Sequence, residues 1–259
     1  MRQLLRLATG LFVGCLALVA QACPINIVYS DQASPPYYLG NGELIPEHPG
    51  VAVELLNLAA AKMGCKINWK RLPGRRALRE LEAGSVDAML LLSYSPERAV
   101  YAVYPMAGAT PDATYSLATL SYSVYVKRGE VLKWDNKQFS PMPTLIGANS
   151  GYSVAEELRN LGLHVEETPS TTSNLRKLLM GRINAYVGQD FQTDQVLEGA
   201  HWANVQKLPT PFSSKDYYLP FSKKFFYASP VAATQLWKQI AEARKTSGKD
   251  LAKKYADAN

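Results

Sequence analysis

The chain has 259 residues, 47% of them hydrophobic, and its 28 Lys+Arg against 22 Asp+Glu leave a formal net charge of +6. The basic residues are scattered apart from pairs such as Lys223-Lys224, which describes a solvated surface and argues against a nucleic-acid patch. His48, His164 and His201 lack metal-site spacing, and no Gly-x-Ser-x-Gly, Walker or dinucleotide signature or evident nucleophile appears.

Arg2 and Arg6 precede an apolar run from Leu7 to Ala20, and Ala20-Gln21-Ala22 has the A-x-A form of a signal-peptidase site. Residues 1–22 therefore read as a signal peptide removed on export, with Cys23 as the mature start. An uncleaved anchor is the competing reading, but the run is short for a span of about 20 residues. Loss of Arg2 and Arg6 lowers the basic count from 28 to 26 against 22 acids, a net charge of +4. The remaining 237 residues can bury one large core or two smaller ones.

Cys15 leaves with the signal, so Cys23 and Cys65 remain, each opening an apolar strand with a helix between them. In a β-α-β unit with adjacent parallel strands the two strand starts lie about 4.8 Å apart, which suits a disulfide. Closing a loop of some 40 residues would contribute roughly 3 to 4 kcal/mol on the chain-entropy model. The alternative, a lipoprotein acylated on Cys23, is disfavoured by Ala20 and Gln21 and would strand Cys65.

A strand over Ile25–Tyr29 leads into Asp31-Gln32-Ala33-Ser34-Pro35-Pro36-Tyr37-Tyr38, which the prolines keep extended and which offers tyrosine faces at a strand's carboxyl end. Val51, Leu55 and Leu58 recur at helical spacing up to Lys62, and a strand follows over Lys66–Lys70. The next helix stops at Gly84, a buried strand runs from Val86 to Leu92, and the turn Ser93-Tyr94-Ser95-Pro96-Glu97-Arg98 opens another helix. A β-α-β-α-β order with short links predicts a parallel sheet with helices on both faces. Backbone N–H groups at such strand ends are unpaired, so Ser93 and Arg98 are candidates to hold an anion.

Ala113 to Lys127 reads as extended. The β-α-β pattern restarts with a strand over Thr144–Ala148, the turn Asn149-Ser150-Gly151-Tyr152-Ser153 and a helix over Val154–Leu161. A strand over His164–Glu167, a helix over Ser173–Met180 and a strand over Ala185–Val187 complete a second unit. Extended Tyr217–Phe221 and amphipathic helices over Pro230–Tyr255 end the chain, the latter expected to pack back on the first unit.

With Gly50-Val51-Ala52-Val53-Glu54-Leu55, Gly84-Ser85-Val86-Asp87-Ala88, Ser95-Pro96-Glu97-Arg98, Gly151-Tyr152-Ser153 and Gly181-Arg182-Ile183-Asn184-Ala185 in this order, the chain resembles the extracellular solute-binding proteins, family 3, of polar amino-acid ABC importers. The resemblance implies an α/β type II periplasmic-binding fold of two lobes, here 23–120 with 216–259 and 121–215. Two crossing strands near Ser121–Lys127 and Asp216–Phe221 would join them. It further implies a periplasmic, monomeric, non-enzymatic protein that closes on a small polar ligand, an amino acid or related carboxylate, for an inner-membrane ABC permease, with no cofactor. Arg98 would pair with a ligand carboxylate, supported by Ser93; Gly151, Tyr152 and Ser153 would grip from the second lobe. Asp190, or Gln189 if the turn shifts by one residue, would face the cleft with Asp31 at the rim, the aspartates receiving an ammonium. Tyr37 is a candidate ligand contact and Arg76 a further cation.

Two departures stand out. Where related chains carry Pro-Trp-x-Arg-Ala, this one has Pro73-Gly74-Arg75-Arg76-Ala77, and Leu90, Leu91 and Leu92 replace polar residues late in the core strand. A periplasmic dehydratase of the prephenate or arogenate type, with Glu97, Asp190 or Asp31 as general acid, and a ligand-sensing partner of a membrane receptor are the alternative functions.

Overall fold

The computed structural model describes residues 23–256, so the expected signal segment 1–22 lies outside the described residues. Strand Cys23–Ser30 pairs in parallel with Cys65–Leu72, residue for residue from Cys23 opposite Cys65, and with Ala88–Met89 on its other side. The two cysteines are bonded across the strand starts with Cα atoms 4.5 Å apart. Side chains alternate across the central strand as the pleat requires. Ile25, Ile27 and Tyr29 pack with Val53 and Leu56 of helix Val51–Lys62, while Val28 packs with Ala77 and Leu81 of helix Gly74–Glu82 on the opposite face. Strands Phe221–Ser222 and Ala102–Val103 finish this first sheet in antiparallel fashion.

The expected continuous strand from Val86 to Leu92 is not formed. Ala88–Met89 joins the first sheet, Leu92–Ser93 joins the second, and between them Leu91 takes a φ of 55°. A positive φ is uncommon for any residue with a Cβ and rarer still for a bulky one, and such strain is kept only where the surroundings hold it. Here the bend moves the chain from one sheet to the other while Leu90, Leu91 and Leu92 stay buried.

The second sheet runs Val165–Thr168, Ile146–Asn149, Ala185–Gln189, Ala118–Lys127, Ser213–Tyr218, Leu92–Ser93. Its first three strands are parallel to one another, and Ala118–Lys127 and Ser213–Tyr218 are antiparallel neighbours with Tyr217 opposite Ala118. Since Tyr218 belongs to this sheet and Phe221 to the first, the chain crosses between sheets at Leu219-Pro220, close to one of the two expected crossings. The other expected crossing, near Ser121–Lys127, lies wholly within the second sheet, and the chain passes between sheets before it, between Val103 and Ala118. The bend at Leu90-Leu91 is a further crossing that periodicity did not reveal.

One helix, Pro230–Ala256, forms where several were expected. Ala243, Leu251 and Tyr255 cluster with Val51 and Leu55, so it packs on the first lobe as expected. Trp237 donates its indole N–H to Leu219 O at 2.7 Å, tying the helix to the crossing. Arg71, only 2% exposed, sits over the Tyr29 ring and donates to the carbonyls of Leu39, Gly40 and Leu44. Its guanidinium thus anchors the irregular segment 31–50 and holds Ser34 and Tyr38 above the strand ends.

Candidate functional site

Strand Leu92–Ser93 runs directly into the four-residue helix Pro96–Ala99, where Pro96 presets the first turn and Ser95 Oγ accepts the Arg98 N–H at 3.4 Å. This local cap turns the Arg98 side chain back over the strand it follows. Arg98 is 7% exposed, and its guanidinium donates to Ser93 O and Ser93 Oγ, both at 2.8 Å, and across the cleft to Gly151 O at 2.9 Å. Tyr104 donates its hydroxyl to the same Ser93 carbonyl at 2.9 Å. Among the described residues no carboxylate forms an ion pair with Arg98. A buried guanidinium satisfied by neutral oxygens is a site that a planar anion would complete.

The opposing jaw is the turn after strand Ile146–Asn149, in which Gly151 takes a φ of 82°. Ser153 Oγ lies 3.0 Å from Ser93 Oγ and accepts from Lys215 Nζ at 2.7 Å. With Lys215 donating to Ser153 and Arg98 donating to Ser93, the two hydroxyls bridge a pair of cations from the two lobes. Lys215 also contacts Glu157 and lies 5.1 Å from the centre of the Tyr122 ring. Burial and the nearby Arg98 charge push its amine down to about 7, and the Glu157 carboxylate opposes that shift. Sequence reasoning missed Lys215. The available signal was its place two residues before Tyr217 on a crossing strand, which puts both on one face.

The cavity between the jaws is walled by Met89, Leu90, Leu91, Leu92 and Leu120 and by the rings of Tyr38, Tyr122, Tyr152 and Tyr217. Its polar atoms come from Ser30, Ser34, Ser93, Ser153, Gln189 and Arg98. Tyr122 and Tyr217 share a hydroxyl–hydroxyl bond of 2.6 Å, and Gln189 donates to Tyr217 OH at 3.0 Å. Burial raises the phenols of Tyr122, Tyr152 and Tyr217, which therefore stay neutral through the physiological range. Gly74 and Gly151 complete the lining. A Cβ on Gly74 would come within 3.1 Å of Ser150 O, and one on Gly151 within 3.2 Å of Arg75 N. The residue that replaces the aromatic platform thus allows backbone to approach backbone across the cleft.

Of the nine candidates, Ser93, Arg98, Gly151, Tyr152 and Ser153 line one cavity. Asp31, Tyr37, Arg76 and Asp190 do not. The turn after Val187 is set so that Gln189, 6% exposed, faces inward, while Asp190 Oδ1 accepts the Phe191 N–H at 2.7 Å. Tyr38 takes the inward place expected of Tyr37, because the chain reverses there and Tyr38 N is bonded to Ser34 O at 3.2 Å. Arg76 is exposed on its helix. Its neighbour Arg75 reaches across the mouth of the cleft to Glu167 at 2.8 Å, and Glu167 also accepts from Gly151 N and from Arg159. Burial would raise the Glu167 carboxyl, but the bonds from Arg159, Gly151 and Arg75 outweigh it and hold the group below the usual range. Among the described residues no group of three or more His, Cys, Asp or Glu is placed to hold a metal. None of the helices there is long and apolar enough to cross a membrane.

Residues 25–117 match the family described as bacterial extracellular solute-binding proteins, family 3. No curated protein matches the chain. A histidine kinase sensor domain with similarity to periplasmic binding proteins superposes with a TM-score of 0.69 at 18% identity, covering 89% of this chain and 95% of that one. The GluR0 ligand-binding core from Nostoc punctiforme in complex with L-glutamate gives 0.65 at 16% identity, over 90% and 99% of the two chains. The substrate binding protein of an amino acid ABC transporter gives 0.63 at 17%, over 90% and 98%. At these identities the likeness is one of fold, the type II periplasmic-binding architecture.

Proposed function

From the solute-binding family 3 pattern that residues 25–117 carry, we propose that the protein is exported to the periplasm and captures a small carboxylate between two lobes, 23–120 with 216–259 and 121–215. It would then deliver its cargo to an inner-membrane ABC permease. The observation that carries this reading is the buried Arg98, which donates to Ser93 in one jaw and to Gly151 in the other and has no carboxylate partner among the described residues. A ligand carboxylate at this point would engage both jaws at once, which makes binding and hinge closure the same event. The chemistry is non-covalent. A dehydratase would need a general acid over the leaving hydroxyl, and among the described residues no Asp or Glu lines the cavity.

Thermal unfolding of ligand-stripped protein against a panel of amino acids and organic acids tests the proposal. At least one carboxylate should raise Tm, and Arg98→Ala should weaken it by about 100-fold, the order expected for losing a desolvated charge-assisted pair. Prephenate should be returned unchanged. Ligand stabilisation that survives Arg98→Ala would rule out the clamp, and conversion of prephenate to phenylpyruvate would favour the enzyme reading.

A further inference from the structure

The cavity's charge inventory restricts the ligand further than the carboxylate clamp does. One cation, Arg98, lines it, a second, Lys215, adjoins it through Ser153, and no Asp or Glu contributes to its wall among the described residues. The acids around the site are engaged elsewhere: Asp190 with the Phe191 N–H, Asp31 with the Gln32 amide, Glu157 with Lys215, and Glu167 with Arg75, Arg159 and the Gly151 N–H. The place that the resemblance gave to an aspartate is held by Gln189. Its amide is already used, with Nε2 donating to Tyr217 OH at 3.0 Å and Oε1 accepting from Ser34 Oγ at 3.4 Å. Tyr122 and Tyr217 share one hydroxyl–hydroxyl bond and Tyr217 also accepts from Gln189, so the phenols offer an ammonium neutral oxygens and no negative charge. A ligand ammonium here would lose its water and meet like charge with no counter-ion, which is unfavourable unless it is paired. The remaining wall is leucine, methionine and tyrosine, suited to an apolar body.

We propose that the natural ligand is a carboxylate with an apolar body and no ammonium group, a deaminated aromatic or branched aliphatic acid in place of an amino acid. The proposal rests on the carboxylate-capture reading and names the class of solute for that same site. Of the residues that would set this preference, Gln189 is the key one, since it places a neutral amide where an acid would accept an ammonium.

Calorimetric titration of ligand-stripped protein with matched pairs decides it: 3-phenylpropionate against L-phenylalanine, and 4-methylpentanoate against L-leucine, with phenethylamine as a cation-only control. The deaminated member of at least one pair should bind ten or more times tighter than its amino acid, and the amine should not bind. Gln189→Glu should move that ratio at least tenfold toward the amino acid, a change that loss of packing alone would not produce. Equal or tighter binding of the amino acids in the native protein overturns this inference and leaves the carboxylate clamp standing. If neither the acids nor the amino acids bind, both readings fall. A folded Gln189→Glu protein with an unchanged ratio contradicts the role given to Gln189.

Discussion

Lys215 shows how one side chain couples the site to pH. It faces Ser153 and Glu157 on the second lobe, Tyr122 on the neighbouring crossing strand, and the charge of Arg98. With its amine pushed down to about 7, the group is losing its proton near neutral pH. A bound anion favours the ammonium form, so binding takes up a proton at pH values above about 7, and affinity must fall as pH rises. Linkage sets the limit for one proton at about tenfold per pH unit. Below pH 7 the amine is charged with or without ligand, and affinity should be flat until the ligand itself is protonated. Titration calorimetry from pH 6 to 9 should show this break, and Lys215→Met should remove it; a slope that persists in the variant would assign the proton to another group. Lys215 was not legible from the sequence because a lysine near a strand end is ordinarily solvated. Only the pairing of Ser213–Tyr218 with Ala118–Lys127 brings it beneath Ser153.

At the scale of elements, the start of helix Gly74–Glu82 meets the Ser150-Gly151 turn, and under the proposed closure this contact would limit how far the lobes come together. Both sides of this contact are glycine, and a side chain at 74 would meet Ser150 O. Gly74→Leu should therefore hold the jaws apart. Overpacking of about 1–3 kcal/mol corresponds to a loss of roughly five- to 150-fold in ligand affinity, with a larger radius of gyration in the presence of ligand. Affinity equal to that of the native protein would show that this contact does not limit closure. The Gly74 departure was visible in the sequence, but its meaning was not, because the partner backbone lies some 75 residues away. Helix Val51–Lys62 was readable to the residue from Val51 and Leu55, which pack on the last helix, although Leu58 of the same spacing faces solvent. The stretch Val86 to Leu92 was misread for the opposite reason: a run of apolar residues does not reveal a bend at Leu91 that tertiary packing imposes.

The whole molecule joins two sheets through four chain segments, which cross at Leu90-Leu91, between Ser93 and Ala102, between Val103 and Ala118, and at Leu219-Pro220. Arg98, Ser153 and Lys215 all lie beside these crossings, so a ligand gripped there acts where a small rotation closes the cleft. The Cys23–Cys65 bond and the packing of Pro230–Ala256 on Val51–Lys62 stiffen the first lobe at a distance from that hinge. The β-α-β order made the two sheets legible, and the run from Ser93 to Arg98 pointed to residues that line the cavity between them. The turn after Val187 was ambiguous by one residue, and this single step decides whether Gln189 or Asp190 faces the ligand. A crystal structure with the tightest-binding acid of the matched pairs tests the central claim most directly. The account predicts the ligand carboxylate about 3 Å from Arg98, with Ser93 and the Gly151–Ser153 turn both in contact with it. A carboxylate held by one lobe alone, away from Arg98, would contradict it.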